Sequence, residues 1–190
     1  MPLDPDDLVA VLVYDGLCTF EFGLAVEVFA LDRPEFAFPW YAFAVASCDG
    51  PRVRATGGIA VEADGDLSVL AHARTIVLPG WRDREERPPE ALLQALREAH
   101  ARGARLVSIC SGVFILAAAG LLDGRRATTH WRHLPTLRRL YPNVIAEADV
   151  LYVDEGEIIS SAGSSAGIDA CLHLVRRDHG GAVANAVANA

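Results

Sequence analysis

Short apolar runs alternate with longer segments of helical periodicity along the chain. The runs predicted as strands contain few charged residues, and the predicted helices place apolar residues three or four positions apart. Fully apolar strands separated by helices are typical of a parallel sheet that helices cover on both faces. The predicted strands span 8–14, 40–47, 75–80, 105–110 and 126–130, and the predicted helices span 20–32, 89–103 and 163–181.

The same pattern bears on domain organisation. Residues 52–62 are predicted to form a hairpin or an excursion at the sheet edge. The chain shows no internal repeat, no low-complexity linker and no break in composition, so residues 1–190 are predicted to form one α/β domain, a parallel-sheet three-layer sandwich. The C-terminal run "AVANAVANA" is compatible with a helix and has no stop signal. It is either a natural terminus or the point at which a longer chain continues.

Composition excludes several classes of function. The chain is 52% hydrophobic and 22% charged, which is typical of a globular protein, and its net charge of −8 argues against binding nucleic acid unaided. No apolar run is long enough to cross a bilayer, and the start "MPLDPDDL" is acidic, unlike a secretory signal. The four cysteines lack C-x-x-C spacing, so neither a metal site nor a disulfide framework is indicated, and a cytoplasmic setting is expected.

The segment "RLVSICSGVFILAAAGLL" changes from a strand pattern to a helix pattern at Cys110. Ligands of parallel α/β sheets bind beyond the carboxyl ends of the strands, and three predicted strand ends are Gly80, Cys110 and His130. A nucleophile elbow at Cys110 would expose the thiol, and the start of the following helix would lower its pKa. Ser111 and Gly112 suit a tight turn and a close approach to a ligand. The alternative is that Cys110 is a small buried residue, like most free cysteines.

Further candidates lie near the other strand ends. Glu21 stands between apolar neighbours, so it is either a surface residue or a buried acid with a raised pKa that shares a proton with a thiol. His130 is either a base or merely hydrogen-bonded. Thr129 and Trp131 flank it, and the indole could form an aromatic wall of a binding site.

Four blocks of the sequence together resemble a known family. They are "YDGLCTFEFGLAVEVF", "IVLPGW", "SICSGVFILAAAGLLDGRRATTHW" and "SAGSSAGIDACLHLVRRDHG". Their order and spacing are similar to the ThiJ/PfpI branch of the class I glutamine-amidotransferase-like superfamily, and this resemblance implies a flavodoxin-like α/β fold. Within the branch, the pairing of "LLDGRRATTHW" with "CLHLVRRDHG" most resembles the N-terminal domains of AraC-type transcription regulators. The resemblance therefore implies a C-terminal helix-turn-helix module in the complete protein.

The resemblance assigns roles to individual positions. Cys110 falls on the elbow cysteine, and Glu21 on the acidic residue that lies close to it in enzymatic relatives such as isonitrile hydratase. The backbone N–H groups of Gly80 and Ser111 fall on an oxyanion hole, and His130 falls on a histidine that often neighbours the cysteine. Two departures limit the transfer: "FEFGLAVE" stands where isonitrile-hydratase-like sequences tend to have aspartate and a Gly-Pro turn, and no His-x-Glu dyad follows "IISSAGSSAG". Glutamine hydrolysis by a full triad is therefore not expected.

Two functions follow as hypotheses. The first is a non-enzymatic sensor domain that binds a small metabolite near Cys110, forms a homodimer and reaches DNA only through the helix-turn-helix module. No cofactor, metal or membrane partner is expected for it. The alternative is a cysteine-dependent hydratase or hydrolase with Cys110 as nucleophile and Glu21 as acid/base. A third interpretation is a redox sensor in which Cys110 is oxidised.

Overall fold

The computed structural model describes residues 7–163 and 165–189. Some predictions therefore fall partly outside the described residues. These are the two ends of the predicted domain 1–190, which include most of the acidic start, and the second residue of the predicted helix 163–181. The strands are β1 Leu8–Val13, β2 Ala42–Ser47, β3 Arg52–Arg54, β4 Ala60–Glu62, β5 Thr75–Leu78, β6 Arg105–Ile109, β7 Arg126–Ala127, β8 Ile145–Ala146, β9 Tyr152–Asp154 and β10 Ile158–Ser161. The helices are α1 Thr19–Ala25, with a π-helical continuation Val26–Ala30, α2 Glu90–Ala101, α3 Val113–Ala118, α4 Leu134–Leu140, α5 Ala166–His179 and α6 Gly181–Ala188.

A six-stranded sheet in the order β2-β1-β5-β6-β10-β9 forms the middle layer. Its strands pair in parallel except for β9, which runs antiparallel to β10 at one edge. The predicted α/β architecture with a mostly parallel sheet is confirmed. Strands β3 and β4 form a separate antiparallel hairpin, as the pattern over 52–62 predicts.

Alternate residues of the strands enter two apolar cores, one on each face of the sheet. On one face, Ala10 and Leu12 of β1 belong to the same core as the buried leucines of α2 and the apolar residues of α3. On the other face, Val9 and Val11 share a core with α1, α5 and α6. The result is the predicted three-layer sandwich, in which both faces of the sheet are excluded from water.

The prediction of a strand over 126–130 is wrong: the strand is shorter, and it does not belong to the central sheet. Only Arg126 and Ala127 are extended, and they pair with β8 in a small separate sheet. Beyond them, threonine hydroxyls replace ladder hydrogen bonds: Thr128 Oγ1 donates to the Glu147 carbonyl and Thr129 Oγ1 to the Cys110 carbonyl. The position beside β6 belongs instead to β10, a strand that the sequence analysis did not assign.

Candidate functional site

Cys110 lies at the carboxyl end of β6, at the sharp turn that leads into α3. Its φ is +54°, in the left-handed region that costs a residue other than glycine about 1–2 kcal/mol. Two contacts hold this backbone: the Cys110 N–H donates to the Ala162 carbonyl (3.2 Å), and the Thr129 hydroxyl donates to the Cys110 carbonyl (2.7 Å). The strained turn thus depends on the segment after β10 and on Thr129.

Glu21 is a buried acid, which decides between the two alternatives left open by the sequence. It lies in the first turn of α1 and is only 2% exposed, and its Oε2 accepts the Gly80 N–H at 2.5 Å. Burial raises the pKa of the Glu21 carboxyl, and the contacts with Gly80 and the Cys110 thiol offset part of that increase. Glu21 and Cys110 are therefore close enough to influence each other's ionisation.

The predicted lowering of the thiol pKa is wrong. Burial, followed by the charge of Glu21, raises the pKa of Cys110 to about 12, and the Ser111 N–H offsets this only in part. The side chain is 8% exposed, so loss of hydration outweighs the field of the short helix α3 behind it. The thiol form of Cys110 is therefore favoured at neutral pH.

The three small residues assigned to ligand binding or an oxyanion hole are engaged by the protein itself. The Gly80 N–H donates to Glu21, and Ser111 Oγ donates to the Trp81 carbonyl at 3.0 Å. A Cβ on Gly112 would lie 2.2 Å from the Leu78 carbonyl oxygen. The missing side chain of Gly112 therefore lets the elbow pack against the end of β5, and its role in binding a ligand stays a prediction.

Thr129 and Trp131 line a cavity of about 550 Å³ that adjoins the elbow. Asp149, Leu134 and Leu151 are among the other residues that line it, whereas Cys110 and Glu21 are not. The Trp131 side chain is 69% exposed, as the predicted aromatic wall requires. The cavity is thus beside the thiol rather than around it.

His130 lies close to Gly163, one of the residues that line this cavity. Its ring packs over Gly163, where a Cβ would approach His130 Cδ2 to 2.5 Å. Its Nδ1 accepts the Arg132 N–H at 3.2 Å. In the described part of the chain no hydrogen bond joins His130 to Cys110, and the structure supports the merely hydrogen-bonded alternative.

Tyr14 is a supporting residue that the sequence analysis missed. It is fully buried, and its hydroxyl donates to the carbonyl oxygens of Pro79, at 2.7 Å, and Gly80. Its ring also packs edge-on against Trp81, with 4.7 Å between centroids. The sequence signal that could have identified it is a tyrosine at the end of an otherwise aliphatic strand. Tyr14 holds the peptide that presents the Gly80 N–H to Glu21.

Metal and membrane sites were also sought. Among residues 7–163 and 165–189, no group of three or more His, Cys, Asp or Glu side chains is arranged to hold a metal ion. No helix in these ranges is both long enough and apolar enough to span a membrane.

The sequence model of the DJ-1/PfpI family matches residues 8–177. The chain belongs to the DJ-1/PfpI family. Its fold is also that of an AraC family transcriptional regulator from Pseudomonas putida, with a TM-score of 0.83, 22% identity, and coverage of 96% of this chain and 97% of that one.

Curated relatives of this chain share different parts of their length with it. A protein from the cpoL 5′ region of Streptomyces lividans is 40% identical over 136 residues, 71% of this chain and 95% of that protein. The HTH-type transcriptional regulator CdhR of Pseudomonas aeruginosa is 36% identical over 170 residues, 89% of this chain, which spans only 50% of CdhR. The isonitrile hydratase of Pseudomonas putida is 39% identical over 90 residues, 46% of this chain and 37% of the enzyme.

Proposed function

We propose that this chain is the ligand-sensing and dimerising domain of a cytoplasmic DNA-binding transcription regulator. The observation that carries the proposal is the similarity to CdhR, which extends over 89% of this chain but half of that regulator. In the proposed arrangement a C-terminal helix-turn-helix module, outside these 190 residues, makes the contacts with DNA. The net charge of −8 supports this division, because phosphate binding needs a basic surface.

The proposed effector is a small metabolite bound in the cavity beside the elbow. The cavity volume of about 550 Å³ lies within the range of small-molecule sites, about 300–1,000 Å³. An exposed indole and several aliphatic side chains supply apolar contacts, and Thr128, Thr129 and Asp149 supply polar groups. Thr129 connects the cavity to the strained turn at Cys110, so binding could be transmitted to the elbow through that hydroxyl.

The DNA-binding proposal makes a direct prediction. The 190-residue chain should show no measurable affinity for promoter DNA at physiological salt, because its acidic surface repels phosphates. The complete regulator should bind the same DNA as a dimer on adjacent half-sites. A gel-shift comparison of the two proteins checks this, and tight sequence-specific binding by the chain alone would overturn the sensor-domain proposal.

Dimerisation is proposed through an apolar groove of about 410 Å³ between α1, α5 and α6. Phe20 and Ile168 line it and are 52% and 39% exposed, which supports burial against a second copy.

We expect Ile168→Asp to weaken the dimer by about 30-fold or more, because it places a charge among the apolar side chains that line the groove. Sedimentation over a range of concentrations measures the change. Ile145→Asp, at a residue of β8 that is 52% exposed, is the matched control. Equal dissociation of both variants, or a wild-type chain that stays monomeric throughout, would contradict the groove as the interface.

The second candidate is a cysteine-dependent hydratase. The similarity to isonitrile hydratase and the Cys110–Glu21 pair favour it, whereas the high pKa of the thiol weighs against it. Incubating the chain with an alkyl isonitrile and water tests it, since hydration would yield the N-alkylformamide. Turnover that Cys110→Ala abolishes would replace the sensor proposal with an enzymatic one, and absence of product supports the sensor.

A further inference from the structure

The two threonine hydroxyls that line the ligand cavity can only accept hydrogen bonds from a ligand. Thr128 Oγ1 donates to the Glu147 carbonyl at 2.9 Å. Thr129 Oγ1 donates to the Cys110 carbonyl at 2.7 Å. Because a hydroxyl has one proton, each oxygen keeps only lone pairs for a bound molecule. The ionised carboxylate of Asp149, which also lines the cavity, is likewise an acceptor and not a donor.

Asp149 gives the cavity a negative charge that no neighbouring side chain balances. It is the one charged residue among the described residues that line the cavity. Nearby in the chain, Glu147 and Glu155 both pair with Arg126. Asp149 forms no ion pair within residues 7–163 and 165–189. A cation in the cavity would therefore meet an attractive charge that the protein itself leaves uncompensated.

Trp131 adds an aromatic surface to the wall of the same cavity, and it is 69% exposed. The face of an indole attracts a cation that lies within about 6 Å of the ring centroid. The guanidinium carbon of Arg132 lies 5.0 Å from this centroid, and the exposed remainder of the ring can contact a ligand. The indole N–H is the one donor left among the described lining side chains. Leu134 and Leu151 extend the apolar part of the wall.

We propose that the cavity binds a small organic cation whose charged nitrogen carries hydrogens, a protonated amine or a guanidinium, with Asp149 as its counter-ion. This inference rests on the proposed ligand cavity and adds the chemical class of the ligand. The N–H groups of such a cation would donate charge-assisted hydrogen bonds to Asp149 and further bonds to the two threonine oxygens. Its carbon chain would pack against Trp131 and the leucines. An anion would be repelled by Asp149, and a quaternary ammonium would bring the charge without any hydrogen to donate.

The test is an NMR titration of the 190-residue chain at pH 7 and constant ionic strength. The backbone amide of Asp149 and the indole N–H of Trp131 report binding from two sides of the cavity. The probes are butylammonium, butylguanidinium, butyltrimethylammonium and the neutral 1-butanol. The first two should give saturable shifts with a dissociation constant of about 1 mM. The other two should bind at least about tenfold more weakly, because one lacks the N–H donors and the other lacks the charge.

Asp149→Asn locates the counter-ion. Asp149 has a φ of +59°, and asparagine tolerates this left-handed conformation as aspartate does, so the variant keeps the loop. It should weaken the binding of both N–H cations about tenfold, measured on the Trp131 indole. Asp32→Asn is the matched control, since Asp32 is exposed and lies outside the cavity lining. Its titration should match that of the wild type.

Arg132→Gln provides a second variant with an effect of opposite sign. Arg132 lies against Trp131 and does not line the cavity, so its removal takes away a nearby positive charge and leaves the lining side chains in place. The variant should therefore tighten the binding of butylammonium about twofold. Weaker binding of the cation in Arg132→Gln would contradict a negatively charged site.

The outcomes separate this inference from the proposed function. A response that does not saturate, or equal weakening by Asp149→Asn and Asp32→Asn, would overturn the cation site. Equal binding of 1-butanol or butyltrimethylammonium would also overturn it, because neither molecule is a charged N–H donor. In each of these events the gel-shift comparison would still decide whether the chain is a regulator domain. Conversely, saturable binding that requires Asp149 would establish the cation site even if the complete protein did not bind DNA.

Discussion

Replacing Gly112 by alanine should lower the free energy of unfolding by about 3 kcal/mol. The added Cβ would lie 2.2 Å from the Leu78 carbonyl oxygen and 2.9 Å from that of Pro79. Both obstacles are backbone atoms at the end of β5, so no side-chain rotation relieves the overlap. The elbow and the strand would have to separate, and the contacts of the sheet with α3 would loosen.

Urea denaturation of the two proteins measures this difference. Gly23→Ala is the matched control, because Gly23 lies within α1 and a Cβ there would meet nothing within 4 Å. Its substitution should stabilise the protein slightly, by about 0.4–1 kcal/mol, since alanine restricts the unfolded chain more than glycine does. If Gly112→Ala unfolded at the wild-type urea concentration, the tight approach of the elbow to β5 would be refuted.

The architecture could be predicted because the strands β1, β5 and β6 are almost purely apolar. Such runs have few alternatives to a sheet that is buried on both faces, and the intervening segments have clear helical periodicity. The same rule fails for β10. Its sequence "IISS" is half serine, and a buried polar strand carries no hydrophobic signal of its own. The serines are tolerated because they find partners: Ser160 Oγ accepts the Thr128 N–H at 2.9 Å.

The two central residues, Cys110 and Glu21, could be predicted from the sequence, but the direction in which the pKa of the thiol shifts could not. Cys110 follows β6 and Glu21 lies in α1, the helix after β1, as the sequence and the resemblance predict. The pKa of the thiol depends instead on how much water reaches the sulfur, and one sequence does not reveal that. At 8% exposure, the loss of hydration exceeds the stabilisation that the Ser111 N–H provides.

Contacts between distant parts of the chain were the least predictable. Tyr14 and Gly80 are 66 positions apart, yet they share the hydrogen bond that shapes the site. Glu85, in the loop after β5, and Arg139 of α4 form an ion pair across 54 positions. Local periodicity carries no information about such pairs, since it depends only on residues that are close in the chain.

Replacing Glu21 by glutamine should increase the rate of Cys110 alkylation at mildly alkaline pH by about tenfold. The charge of Glu21 contributes to the raised pKa of the thiol, so a neutral amide should lower that pKa and enlarge the thiolate fraction. The glutamine carbonyl can still accept the Gly80 N–H, which keeps the geometry of the turn. Timed labelling with iodoacetamide, followed by peptide mapping, measures each thiol separately, and Cys48 serves as the internal reference.

The same substitution should change the pH dependence of stability in a defined direction. The pKa of Glu21 is raised above 4.5, so the folded state holds this proton more tightly than the unfolded chain. Its contribution to stability is complete below about 4.5 and is lost as the pH rises through the folded-state value. As the pH rises from about 4.5 through the folded-state pKa of Glu21, the wild type should therefore lose stability relative to Glu21→Gln. Urea denaturation at a series of pH values would show this loss.

Glu62, an exposed residue of β4, provides the control for both measurements. Glu62→Gln makes the same chemical change where solvent screens the charge, and neither the labelling rate nor the stability difference should follow pH as for Glu21→Gln. Slower labelling of Cys110 in Glu21→Gln would mean that a protonated Glu21 donates to the thiolate. An unchanged rate would mean that the carboxyl does not act on the sulfur at all. In that second case the bond to Gly80 alone would account for the buried acid, and the Cys110–Glu21 pair would have no chemical role.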